Sequence, residues 1–139
     1  LYSGVGTIGL LLAKRAKHVH GVEIVQGAVD SAKQNAEAAK IMNYVAECIP
    51  AEKMDARLLD KRDVLVLDPP RSGLHPKVIT MILEKRPPTV VYLSCNPETQ
   101  ARDYSMLKDV YKVESVTGYD FYPNTPHLES LAVLKLRAE

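Results

Sequence analysis

A chain of 139 residues, 46% hydrophobic and 25% charged, is built for one globular domain of residues 1–139 with a single core, and no apolar run nears the roughly 20 residues that span a bilayer. The first residues lack the charged region of a secretory signal, and two cysteines with no CxxC pair, Cys48 and Cys95, speak against a zinc site or disulfide scaffold and for a reducing cytoplasm. The net charge of +1 argues against a domain that grips RNA unaided: either RNA is not the substrate or the grip lies elsewhere.

The chain opens at Leu1, without methionine, and enters a glycine-rich turn at once, which reads as a piece of a longer protein. Leu1 and Tyr2 read as the end of a truncated strand. Thr7 is the predicted cap of a helix reaching about Lys17. A strand is expected over Val19 to Ile24, a helix over Ala28 to Lys40, a weaker strand over Asn43 to Glu47 and a helix from Ala51 to Leu59. Asp63 to Leu67 (DVLVL) is nearly all apolar, as in a strand buried on both faces, and stops at Asp68-Pro69-Pro70. A helix near Lys77 to Glu84 and a strand over Thr89 to Leu93 follow, then a helix from Glu98 to about Val110. Tyr111 to Tyr119 and Ser130 to Leu136 complete the set as an antiparallel strand pair. This alternation predicts a doubly wound, Rossmann-like α/β fold, mostly parallel.

Gly4, Gly6 and Gly9 spell GxGxxG between a strand end and a helix, where glycines let the backbone approach a ligand and helix amides face it. Glu23 follows 19 positions after Gly4, placed to accept hydrogen bonds from ribose hydroxyls. On these residues alone NAD and S-adenosylmethionine fit equally, and a plain strand-turn-helix connection remains an alternative. Asp68-Pro69-Pro70-Arg71 lies at the carboxyl end of a central strand, where open α/β sheets bind ligands. Ser94-Cys95-Asn96-Pro97 ends the next strand. A lone cysteine is usually core, but this one sits at the sheet edge before a helix start whose amides can stabilise a thiolate. Cys48 keeps the structural reading.

Five strings together carry a resemblance: LYSGVGTIGL, GVEIV, DPPRSGL, SCNPETQARD and FYPNTPHLE. In this order, over essentially the whole chain, they resemble the RNA 5-methyluridine methyltransferases that modify tRNA and 23S ribosomal RNA. The resemblance implies a class I methyltransferase fold with S-adenosylmethionine as cofactor and S-adenosylhomocysteine as product; the cysteine pattern gives no reason to expect a metal. It implies Cys95 as nucleophile and Glu129 as general base, with cofactor contacts at Tyr2, Gly4, Gly6, Thr7, Glu23 and Asp68. Asp68 also helps hold the uracil, and Arg71 is a candidate phosphate contact. An N-terminal RNA-binding region would precede Leu1. Ser3 stands where many members have cysteine, and Cys48-Ile49-Pro50 departs from the family's adenine segment, leaving that contact unassigned.

The chemistry needs these residue types. Uracil C5 is a poor nucleophile until a thiolate adds at C6 and makes the ring an enolate. After C5 takes a methyl group, a base must remove its proton so that the thiolate can leave. Tyr119, Phe121 and Tyr122 could stack on an unstacked base, although core packing is the expectation for at least two. Arg102 is a further phosphate candidate, with a solvated position as the simpler reading, and His127 receives no role. The alternatives are an amino-methyltransferase, whose aromatic after DPP is here Arg71, an NAD oxidoreductase, and a non-catalytic cofactor-binding fragment.

Overall fold

The glycine-rich turn feeds helix α1 (Thr7–Ala13) through Gly6, whose left-handed backbone (φ 85°) occupies the cap position. No side chain caps this helix, so Thr7 is its first residue rather than its cap. The helix also stops short of Lys17. Asn43 Nδ2 donates to the carbonyls of Ala13 and Ala16 at 2.8 Å, and the Ala13 carbonyl is the one a longer helix would offer to the Lys17 amide. The computed structural model describes residues 1–60 and 64–138. They fall into two compact units, Leu1–Met54 and Asp55–Glu139.

In the first unit α1 is followed by β1 (Val19–Glu23), α2 (Gln26–Ala38) and β2 (Tyr44–Cys48). The two strands pair in parallel, with Glu23 opposite Cys48. Leu1 and Tyr2 lie in no strand, but the Ser3 amide donates to the Val22 carbonyl at 3.0 Å and forms a single rung beside β1. Helix α2 buries Val29, Ala32 and Ala36, one stripe at helical spacing, against Ala13, Tyr44 and Ala46. Cys48 packs at the margin of this core, as its structural reading requires. The expected helix from Ala51 to Leu59 is instead two 3-10 turns, Ala51–Lys53 and Ala56–Leu59. Asp55 interrupts it by turning its carboxylate onto the Arg57 amide at 3.0 Å.

Tyr44 explains two of the glycines. A Cβ at Gly9 would lie 2.6 Å from its ring, and one at Gly21 would lie 2.4 Å from its hydroxyl. The ring is buried, so it cannot swing away, and burial pushes the phenol above its ordinary pKa, with the Ser3 hydroxyl acting in the opposite sense. Gly9→Ala is therefore expected to destabilise the protein by about 1–3 kcal/mol, despite the roughly 1 kcal/mol that alanine gains over glycine in a helix. Thermal melting checks this, and an unchanged or raised Tm contradicts it.

The second unit runs β3 (Val64–Leu67), α3 (Pro76–Lys85), β4 (Thr89–Ser94), α4 (Pro97–Leu107), β5 (Tyr111–Tyr119) and β6 (Glu129–Leu136). Asp63, expected to open β3, lies outside the described residues. The sheet order is β3-β4-β6-β5: β3 and β4 are parallel, while β6 inserts antiparallel to both β4 and β5. The described strands thus form two sheets, one of two strands and one of four. Both long helices begin with proline in the first turn, where its missing N–H costs nothing, after a capping His75 or Asn96. The core gathers Leu65, Leu67, Val78, Ile82, Val90 and Tyr92.

Tyr119, Phe121 and Tyr122 are not core residues. They are 41%, 66% and 55% exposed, and Tyr119 and Phe121 stack with centroids 5.7 Å apart. Strand β5 lies at the sheet edge and is exposed over all residues after Tyr111, so its tip offers them nothing to pack under.

Candidate functional site

The residues singled out in the sequence assemble in two groups, one in each unit. In the first, Glu23 at the end of β1 holds the glycine turn. Its Oε2 accepts from the Gly4 amide at 2.9 Å, and its Oε1 accepts from the amides of Ile24 and Val25 at 2.9 and 3.0 Å. A carboxylate has about four acceptor positions, so one remains for a ligand hydroxyl. Beside it lies a shallow pocket of about 60 Å³ walled by Tyr2, Val22, Ile24, Pro50 and Ala51. Pro50 belongs to the segment whose ligand contact the sequence left unassigned. Gly4 and Gly6 take left-handed backbone (φ 51° and 85°), which a side chain would strain. Thr7 is exposed at the start of α1.

The second group forms where three strands end together. Leu67 pairs with Tyr92 and Ser94 with Ser130, so Asp68, Cys95 and Glu129 each lie at or one step beyond a rung of the same sheet edge. The β4–β6 register continued by one residue sets Cys95 opposite Glu129. Cys95 and Glu129 are half-buried and Asp68 is exposed at its rim. Partial desolvation, and then the like charge of Glu129, push the Asp68 carboxyl above the usual carboxylate range.

The sign of that shift gives a stability prediction. A carboxyl whose folded pKa exceeds its unfolded value, about 3.9, binds protons more tightly in the folded state. Stability therefore falls as pH rises through the window between the two values, and the cost persists above it. Asp68→Asn should raise the Tm at neutral pH and lose that fall, as melting across pH 3 to 8 would read. A variant that melts lower at neutral pH contradicts the assignment.

The turn around Cys95 is held without help from the thiol. Ser94 Oγ donates to the Asn96 carbonyl at 2.9 Å and accepts from the Asn96 amide at 3.0 Å. Asn96 Oδ1 accepts from the Glu98 amide at 3.2 Å, capping α4. These amides were the expected thiolate donors, and both are already engaged, while Pro97 has none. The helix start also sets the positive end of α4 at this turn.

Helix α4 also ties the DPPR loop and β6 to this turn. The Arg71 carbonyl accepts from Asn96 Nδ2 at 3.2 Å and from Thr99 Oγ1 at 3.1 Å. The guanidinium of Arg71 reaches His127 Nδ1 at 3.3 Å. Arginine only donates, so Nδ1 is the acceptor in this contact. Gln100 Nε2 donates to the Tyr92 carbonyl at 2.8 Å, and its Oε1 accepts from Ser130 Oγ at 2.6 Å. Arg102 is engaged by the fold, with Nη2 on Asp103 Oδ1 at 2.6 Å and on the Ser72 carbonyl at 2.8 Å. Reading the sequence alone missed Gln100 and Asp103, because polar residues on a helix default to the solvent face. Among the described residues no cluster of three or more His, Cys, Asp or Glu is placed to hold a metal, and no helix is long and apolar enough to cross a membrane.

Comparison with known proteins bears on this arrangement. The chain is 42% identical over 139 residues to an uncharacterized RNA methyltransferase of Staphylococcus aureus (strain MRSA252), covering 98% of this chain and 31% of that protein. A second such protein, from Clostridium tetani, is 40% identical over 97% of this chain and 30% of its own length. The chain thus spans about a third of the length of these relatives. Among solved structures, the Pyrococcus abyssi tRNA (uracil-54, C5)-methyltransferase in complex with S-adenosyl-L-homocysteine superposes with a TM-score of 0.85 at 37% identity, over 96% of this chain and 32% of that one. An rRNA methylase from Streptococcus thermophilus (TM-score 0.77, 16% identity, 98% and 83% coverage) shares the fold. The model of the tRNA (Uracil-5-)-methyltransferase family matches residues 1–137, and the chain belongs to that family.

Proposed function

We propose that the protein transfers a methyl group from S-adenosylmethionine to C5 of a uridine in RNA, with Cys95 as nucleophile and Glu129 as general base. The observation that carries the reading is the meeting of Cys95, Glu129 and Asp68 at one sheet edge, a nucleophile facing a base across adjacent strands. The Cys95 thiolate adds to uracil C6, forming a carbon–sulfur bond and pushing electron density to C5. When bound, S-adenosylmethionine would supply an electrophilic methyl group to C5, its sulfur keeping the electron pair of the broken S–CH3 bond and leaving as S-adenosylhomocysteine. Glu129 then takes the C5 proton, and the electrons returned to the ring expel the thiolate. Asp68 accepts a hydrogen bond from the uracil edge.

For the cofactor, the remaining acceptor position of Glu23 and the adjoining pocket fit a ribose, with Tyr2, Gly4, Gly6 and Thr7 as further contacts. The Pyrococcus abyssi relative, solved with S-adenosyl-L-homocysteine, supports the choice of cofactor. Arg71 faces the RNA. With a net charge of +1 on these residues, the main electrostatic hold on tRNA or rRNA is assigned to other parts of the full-length protein. The test is methyl transfer from labelled S-adenosylmethionine to tRNA and rRNA transcripts by the full-length protein, followed by nucleoside analysis. 5-Methyluridine is expected, and a different methylated nucleoside, or no label in RNA, contradicts the reading.

A further inference from the structure

The described residues contain one buried acid that this chemistry does not use. Asp103, on the inner face of α4, has no exposed surface, yet it lies on none of the strand ends that carry the proposed reaction. Burying a carboxylate is costly unless its oxygens are satisfied, and here both are. Oδ2 accepts from the Leu74 amide at 2.7 Å and from Tyr92 Oη at 2.7 Å. Oδ1 accepts from Arg102 Nε and Nη2 at 3.0 and 2.6 Å. The partners are informative. Leu74 ends the loop that begins at Asp68, Tyr92 lies on β4 three residues before Cys95, and Arg102 reaches back to the Ser72 carbonyl in that same loop.

The loop is shaped to receive this acid. Gly73 takes a left-handed backbone (φ 81°), and a Cβ there would stand 2.5 Å from both Asp103 Oδ2 and Arg102 Nη2. A plain stabilising ion pair does not need a glycine opposite it, nor bonds to both segments that bear proposed reacting groups. We propose that Asp103 is a positioning residue for the methyl transfer: with Arg102 and Gly73 it pins the 71–74 loop to α4 and β4, fixing Asp68 and Arg71 relative to the Cys95 turn. Charge-assisted hydrogen bonds suit this task because they are short and directional.

The inference rests on the uracil-C5 reading and is tested in the full-length protein. Asp103→Leu keeps the branched heavy-atom skeleton, though not the volume, and removes every acceptor. It should lower kcat about 100-fold, the scale of a misplacement of about 1 Å at a reacting centre, while KM for RNA and the affinity for S-adenosylhomocysteine change less than about threefold. Asp103→Asn, which retains one acceptor oxygen, should recover most of that loss. Gly73→Ala, which strikes the staple from the loop side, should reproduce the kcat defect with Asp103 intact.

A folded Asp103→Leu protein with wild-type kcat overturns the proposal. So does a loss that merely follows the melting temperature and is absent from Gly73→Ala. The two levels of inference fail separately. If the wild type methylates RNA at an atom other than uracil C5, the uracil reading falls while the kcat ratio still judges the staple. If it transfers no methyl group to RNA, both fall.

Discussion

Replacing Cys95 by alanine should reduce methyl transfer to RNA by about a thousandfold or more while leaving the protein folded, because the alternative to thiolate addition is direct attack by a poorly nucleophilic carbon. The structure explains why the two effects separate. The Cys95 side chain is half-buried, and the turn that presents it is closed by Ser94 and Asn96, which bond to each other around it. Loss of the thiol removes none of those bonds. Single-turnover transfer and a melting curve on the same preparation read both quantities. Retained turnover would remove Cys95 from the mechanism, whereas lost turnover with a collapsed melting transition would mark it as structural.

Glu129→Gln is expected to act at the opposite end of the reaction. Methylation of C5 should still occur, but removal of its proton should slow by about 10²- to 10⁴-fold, the usual range for a positioned general base. The methylated covalent complex should then accumulate on ordinary RNA, visible as a burst of one methyl group per enzyme followed by slow turnover. A second consequence follows from the neighbouring acid. Because the Glu129 charge helps raise the Asp68 carboxyl, neutralising it should bring Asp68 closer to its ordinary value and weaken the pH dependence of stability described above. A Glu129→Gln enzyme that turns over normally contradicts the base assignment.

The strand ends and their motifs were legible in the sequence because their signals are local. Apolar runs such as VLVL and VVYL, stopped by proline-containing turns, identified β3 and β4, and the two strands are indeed parallel neighbours with Asp68 and Cys95 at their carboxyl ends. What the sequence hid depends on long-range placement. Strand β6 returns to lie between β4 and β5, and only this insertion brings Glu129 across from Cys95. Gln100 and Asp103 look like solvent-facing residues until the positions of the DPPR loop and β6 are known. Local competition accounts for the shortened α1 and the two 3-10 turns: Asn43 and Asp55 satisfy backbone groups that helical composition had assigned elsewhere. At least two of Tyr119, Phe121 and Tyr122 read as core by residue type, and the edge position of β5 leaves all three exposed.

Covalent trapping tests the central claim most directly. Full-length protein is incubated with S-adenosylmethionine and RNA containing 5-fluorouridine, whose C5 fluorine cannot leave as a proton once the methyl group is in place. The account predicts a stable protein–RNA adduct whose mass includes the transferred methyl group and maps to the peptide containing Cys95. Methylation of ordinary RNA without any trapped adduct, or an adduct that survives Cys95→Ala, would contradict it.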